Sequence, residues 1–307
     1  MFTVTRIIRV LVVIAIVLIA VAVLALVAMR HVYRGGRPLI ESRVNDYGMT
    51  PLIWAAYTGN TILARVLVAD GANVNAVDDH GDTALNLAAG WGYPDCVKTL
   101  IAAGANINTP SVHGLTPLIN AANYGHLRCM KAILAAGANM NATGQYGNTA
   151  LICAALKGYA TCVSALLAAG ANPDQRNRFA QSAFDEAAQH GKLDCLSIFI
   201  NNGVNVNASA YRGCTALMFA ASSDNPACVK ALLAAGSDIS ARDIYGRTAL
   251  IWAINNDDTD SAKALIAHAG HGPLLNAKDC IGHTALYYAD LFKRDEIAKL
   301  LRAAGAT

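Results

Sequence analysis

Two kinds of apolar pattern run along the 307 residues of the chain. Val10 to Met29 is a run of twenty residues without a charge or a strong polar group. At 1.5 Å per residue, a helix of that length covers about 30 Å, the hydrocarbon thickness of a bilayer. From residue 46 onward the pattern changes to short apolar clusters broken by glycine, and it returns at a fixed interval. Gly48, Gly81, Gly114, Gly147, Gly213 and Gly246 are spaced by 33 residues or twice that, each followed two positions later by threonine. Ala180 fills the missing slot, with Ser182 after it, and Gly282 follows after 36 residues. A period of this kind predicts an array of one repeated supersecondary unit.

The clearest copy reads Tyr47-Gly48-Met49-Thr50-Pro51-Leu52-Ile53-Trp54-Ala55-Ala56, then Gly59, then Leu63 to Val68, then Gly71-Ala72-Asn73-Val74-Asn75-Ala76. Thr50 is placed to cap a helix with its hydroxyl. Pro51 then takes the first helical position, where its missing N–H costs nothing. Ala55 and Ala56 let neighbouring helices approach closely. Gly59 and Gly71 stand where helices end and a positive φ is required. A second helix carries the bulky aliphatics, Val97, Leu100 and Ile101 in the next copy. The tail asparagines are suited to bonding the loop backbone. One unit is therefore helix, tight turn, helix and extended turn, with an apolar face that only stacking can bury. The predicted fold is all-α: a solenoid of about eight helix-turn-helix units starting near residues 47, 80, 113, 146, 179, 212, 245 and 281, preceded by one transmembrane helix.

The unit resembles the ankyrin repeat, whose pattern combines Gly-x-Thr-Pro-Leu-His-x-Ala-Ala, a later glycine, a leucine-rich second helix and Gly-Ala-Asp-Val-Asn. The resemblance covers residues 46–307. The usual histidine is absent throughout: Ile53, Asn86, Ile119, Ile152, Asp185, Met218, Ile251 and Tyr287 take its place. Proline is kept only at Pro51 and Pro117, unit five is the most altered, and unit seven carries an insertion near His268 to Leu275. The resemblance implies a binding module. In ankyrin-like proteins the variable residues lie at the finger tips and on the inner face of the first helix. Carried onto this chain, the tips hold Tyr47, His80, His113, Tyr146, Phe179, Arg212 and Tyr245. The inner-helix slot before the mid-unit glycine holds Thr58, Trp91, Tyr124, Lys157 and His190. Aromatic rings and arginine dominate interface energetics. Trp91 and Tyr124 in consecutive units are the expected anchors of a protein partner, although tip aromatics also have neighbouring fingers to pack against.

The first 45 residues divide into a short tail (1–9), the apolar span (10–29), and a linker with a candidate half-repeat (30–45). Arginines flank the span, Arg6 and Arg9 before it and Arg30, Arg34 and Arg37 after it. The run exceeds the usual apolar region of a cleaved signal peptide, which favours an uncleaved anchor; Val23-Leu24-Ala25 keeps the cleavage alternative open. Counting basic residues near the two ends gives two before and four after, with Arg43, which favours a cytosolic body. Eight cysteines point the same way. Gly35-Gly36-Arg37-Pro38 forms a joint before Leu39 to Asn45.

Composition removes several function classes. Hydrophobic residues make up 54% and charged residues 15%, which excludes a disordered chain. The net charge of +3 resides in the N-terminal segment. Setting aside its six arginines and one acid leaves 18 basic and 20 acidic side chains, so nucleic acid is not an expected partner.

No nucleophile elbow, phosphate loop or dinucleotide fingerprint is present, so neither an enzyme, a cofactor nor a small-molecule substrate is expected. Cys96, Cys129, Cys162, Cys195 and Cys228 recur every 33 residues and form a column. Helices packed about 8–10 Å apart exclude a disulfide ladder and leave the thiols as small buried apolar groups. His268 and His271 with Cys280 and His283 have zinc-like spacing and form a weak metal candidate. Two functions remain: a membrane-tethered scaffold that captures a protein, or an exported (periplasmic or lumenal) protein assisting maturation or protection of a redox or cofactor enzyme.

Overall fold

The computed structural model describes residues 33–34 and 37–307. The tail 1–9 and the expected transmembrane helix over 10–29 lie outside the described residues. Among the described residues, no helix is long and apolar enough to cross a membrane.

Among the described residues, sixteen α-helices form eight antiparallel pairs. The first four pairs are α1 (Pro51–Tyr57) with α2 (Thr61–Ala69), α3 (Ala84–Gly90) with α4 (Pro94–Ala102), α5 (Pro117–Asn123) with α6 (Leu127–Ala135), and α7 (Ala150–Lys157) with α8 (Ala160–Ala168). The second four are α9 (Ala183–Gln189) with α10 (Leu193–Asn201), α11 (Ala216–Ala221) with α12 (Pro226–Ala234), α13 (Ala249–Asn255) with α14 (Thr259–Ala269), and α15 (Ala285–Leu291) with α16 (Asp295–Ala303). Each first helix packs on the next first helix and each second helix on the next second helix, giving two parallel layers. Among the described residues, the only strands are the two-residue pair Tyr33–Arg34 and Arg37–Pro38.

The capping prediction holds for most units. The hydroxyls of Thr50, Thr83, Thr116, Thr149, Ser182 and Thr284 each accept a bond from the third residue on. Thr215 and Thr248 stand in the same extended conformation but make no such bond. Small residues hold the two layers together: Ala55 and Ala56, Ala88 and Ala89, and Ala121 and Ala122 are fully buried. Beneath them the second helices contribute Cys96, Val97 and Leu100, then Cys129, Met130 and Ile133, then Cys162, Val163 and Leu166. All five cysteines of the column are buried and unpaired, as small apolar groups. Gly59 is required as glycine: at φ +71° a Cβ there would stand 2.6 Å from the Tyr93 ring of the next unit.

Asparagine side chains stitch the tails from unit to unit. Asn75 Oδ1 accepts from Asn106 N (2.7 Å) and Asn108 Oδ1 from Asn139 N (2.9 Å). Glu41 plays the same part for Asn73 N (2.8 Å), so the turn Leu39–Glu41 acts on unit one as a preceding tail would. At the far end, Arg302 grips both carboxylate oxygens of Asp290, and Lys263 reaches Glu296 at 2.7 Å, leaving a charged outer face.

The fingers differ at one residue at their base, and the Ser111 finger keeps an ordinary turn although its hydroxyl makes no bond. Where that residue is Asn45, Asp78, Asn177, Asp243 or Asp279, its Oδ1 accepts backbone N–H groups two and four residues on. Where it is Gly144 or Ala210, no side chain can do this. The backbone tightens into a 3-10 turn, Gln145–Gly147 or Tyr211–Gly213, with Tyr146 and Arg212 forced to φ +62° and +60°.

Candidate partner-binding face

Finger tips and first helices together line one side of the stack. Trp91 and Tyr124, which close α3 and α5, are 54% and 56% exposed. They stand on the same groove of about 470 Å³, whose lining includes Asp82, Asn86, Asn120, His113 and His126. The expected anchors are thus brought together, along with the tip residue His113. Tyr57 from the preceding unit meets the Trp91 ring edge-on at 5.3 Å, and itself stacks on Trp54, so the indole is braced from behind. Asn86 donates to Leu115 O at 3.0 Å and Asn120 to Asn86 O at 3.5 Å, tying units two and three across the floor. Burial, and then the neighbouring Asp78 charge, push the Asp82 carboxyl above the ordinary aspartate range.

The remaining tips pair with each other. Tyr47 faces His80 at 6.2 Å, Tyr146 stacks on Phe179 at 6.1 Å, and Arg212 lies over Tyr245 at 5.8 Å and over Tyr211 at 5.0 Å. These rings pack against neighbouring fingers and still expose about half their surface. Of the inner slot, Thr58 is turned to its own helix, where its hydroxyl donates to Trp54 O. Lys157 is exposed. His190 sits with Nδ1 3.4 Å from Glu186 Oε2, whose other oxygen accepts from Asn177 Nδ2 at 2.9 Å. Burial pushes the Glu186 carboxyl upward. In this way the acidic pair Asp185 and Glu186 is absorbed into unit five itself, Asp185 by a capping box with Ser182.

A second groove, of about 340 Å³, escaped the sequence reading. It is lined by Phe179, Tyr211, Arg212, Phe219, Arg247 and Trp252, among others. Arg247 lies between Tyr245 (4.9 Å) and Trp252 (4.7 Å). The fully buried Asp243 carboxylate holds it, accepting from Arg247 Nε at 2.8 Å and from Trp252 Nε1 at 3.1 Å. The signal was present in two columns: the residue before each capping threonine and the residue four after it. Those columns hold Asp82 and Arg247 in one, Asn120, Phe219 and Trp252 in the other.

The metal candidate is corrected by geometry. His268 is exposed on α14, His271 Nδ1 is bonded to Ala304 O at 2.9 Å, Cys280 Sγ is 3.6 Å from Ile244 O, and His283 stacks on Tyr287 at 3.7 Å. The insertion instead buries Leu275 and packs against the last unit. Among the described residues, no group of three or more His, Cys, Asp or Glu side chains is placed to hold a metal ion. The sequence spacing reflected two elements that meet the fold at different edges.

A family model described as ankyrin repeats (3 copies) matches residues 26–111, 103–177, 169–243 and 235–307. The chain belongs to the ankyrin repeat family. Its fold matches the crystal structure of the human ASB11 ankyrin repeat domain with a TM-score of 0.67 and 28% identity, over 72% of this chain and 99% of that one. In all, 553 chains of solved structures match, so the fold is widely shared and does not single out a partner. No curated protein matches the chain. The ankyrin array is a protein–protein interaction domain, and such arrays are typically non-enzymatic.

Proposed function

We propose that this protein is a membrane-tethered adaptor that captures a protein partner on the inner face of its ankyrin array. The observation that carries the reading is the groove between units two and three, walled by two half-exposed aromatic rings. Large rings that are braced yet accessible lose little freedom on binding, which is why they anchor interfaces. The tether is residues 10–29, and the arginine count sets the body in the cytosol. Captured partners are therefore held at the membrane surface rather than acted on chemically.

The test begins with a partner captured by the intact protein, followed by Trp91→Ala and Tyr124→Ala. Each change is expected to weaken binding by about 2–4 kcal/mol while leaving the melting temperature nearly unchanged. Binding that survives both changes, or stability that falls as far as binding, marks the rings as scaffold. For the tether, a C-terminal reporter active only in the cytosol should give signal. Signal from a reporter that works only across the membrane would favour the exported alternative instead.

A further inference from the structure

We propose that the array holds its partner as an extended chain segment that puts a lysine or arginine side chain into the Trp91–Tyr124 groove and, about ten residues along, an aspartate or glutamate against Arg212. This rests on the inner face being the partner-binding surface and adds the charge pattern and length of what binds there.

The first groove is built from groups that attract a cation. Asp82 is the one carboxylate in its lining, and no lysine or arginine lines it. The charged or titratable groups that act on Asp82 are Asp78, His80 and His113, so its charge is not neutralised by a fixed cation. Trp91 and Tyr124 line the same groove, and a cation seated on an exposed ring face there gains from its quadrupole as well as from the carboxylate. Asn86 gives its amide to Leu115 O and to the Asp82 carboxylate, and Asn120 gives its own to Asn86 O, while His113 and His126 complete the polar lining.

The second groove has the opposite sense. Arg247 is paired with Asp243, but Arg212 has no acidic partner among the described residues. Its guanidinium is held over two tyrosine rings, and the groups that act on it are Tyr211, Tyr245 and Cys214, with no acid among them. A guanidinium fixed in this way presents its donor edge to a planar carboxylate. Phe179, Phe219 and Trp252 supply apolar walls beside it.

The separation follows from the stack. The first groove lies between units two and three and the second centres on unit six, three and a half steps away. At about 8–10 Å per packed helix the grooves are roughly 28–35 Å apart. An extended chain advancing about 3.3 Å per residue covers this in about nine to eleven residues. A helical segment of the same reach would need about twenty.

The experiment is selection from a library of random 16-residue peptides displayed on messenger RNA, against the full-length chain in a non-ionic detergent. The expected result is enrichment of peptides with a basic residue followed or preceded by an acidic one about ten positions away. Against Asp82→Asn the basic preference should vanish while the acidic one stays, and against Arg212→Gln the reverse. Selected peptides should bind each variant about tenfold more weakly, and a peptide already lacking the matching charge should show no further loss. Asp82→Lys should replace the basic preference by an acidic one. If that variant fails to fold, Asp82→Asn carries the test alone. Peptides enriched without the charge pair, or with a pattern the variants do not alter, overturn this inference and leave the partner-binding reading standing. No enrichment of any peptide overturns both.

Discussion

Asp243 tests the account of the fingers and of the second groove together. Its carboxylate accepts four bonds: from the backbone of Tyr245 and Arg247, from Arg247 Nε, and from Trp252 Nε1. At Ser111, whose hydroxyl makes no bond, an ordinary turn remains, but the fingers at Gly144 and Ala210 show what the chain does with no polar side chain there at all. It tightens into a 3-10 turn and drives the second residue on, Tyr146 or Arg212, to positive φ. Asp243→Ala should push Tyr245 the same way, at about 1–2 kcal/mol. Arg247 is 27% exposed, so water recovers part of its lost bond; with Trp252 the side-chain loss comes to about 1–2 kcal/mol. The total is a destabilisation of about 2–4 kcal/mol. The reciprocal change, Ala210→Asp, supplies the absent acceptor and releases Arg212 from positive φ, which should stabilise by about 1 kcal/mol. Urea unfolding of the full-length chain followed by circular dichroism reads both, with the near-ultraviolet band reporting the loosened Trp252. A loss below about 0.5 kcal/mol for Asp243→Ala, or destabilisation by Ala210→Asp, would refute the claim that this carboxylate decides the finger's shape.

Two further outcomes follow from burial. Of the eight cysteines only Cys280 is exposed, and burial pushes the Cys129 and Cys195 thiols up to about 11 and Cys153 to about 12. A thiol reagent at neutral pH should therefore label one site quickly in the native protein and the other seven only on unfolding; two or more fast sites would contradict the packing. Burial also raises the Glu186 carboxyl above its ordinary 4.5, so the folded state binds that proton more tightly than the unfolded chain. Stability from this group is therefore greatest below 4.5 and is lost as pH rises through the raised folded value. Glu186→Gln, which keeps the acceptor for Asn177, should raise the melting temperature at neutral pH and make no difference below pH 4.5; a lower melting temperature at neutral pH would reverse the sign.

What the sequence shows and what it hides follows from how far apart the cooperating residues lie. Caps such as Thr50, the turn at Gly59 and the asparagine tails involve residues within one unit or at one fixed offset, so a repeated motif reveals them. The grooves depend on columns read across units. Trp91 and Tyr124 share a slot and are legible from it, but Asp82 comes from a different column and meets them only after stacking. Arg247 is the sharper case: nothing in the local sequence says that Asp243 and Trp252 immobilise it, because the side chains converge from the finger base and the middle of α13. Thr215 and Thr248 show the converse, where a matching motif does not guarantee the bond.

Two series of cross-links tie neighbouring units at their edges, and both lapse at one place. Backbone bonds from finger to finger run from Asp79 to Tyr47, Val112 to His80, Arg178 to Tyr146, Ile244 to Arg212 and Cys280 to Tyr245. Among the described residues, none joins the fingers of units three and four or of five and six, the two places where a 3-10 turn follows. The asparagine tail bonds skip three junctions, and the one they share with the fingers is again that of units three and four, where only Gln175 Nε2 reaches Asn141 O at 3.3 Å. There helix packing and the Gln175 bond hold the two units together. The edges are thus cross-linked in two stretches, units one to three and units four to eight, with a single side-chain bond between them. Bending at that seam changes the curvature of the inner face at the smallest cost in edge bonds.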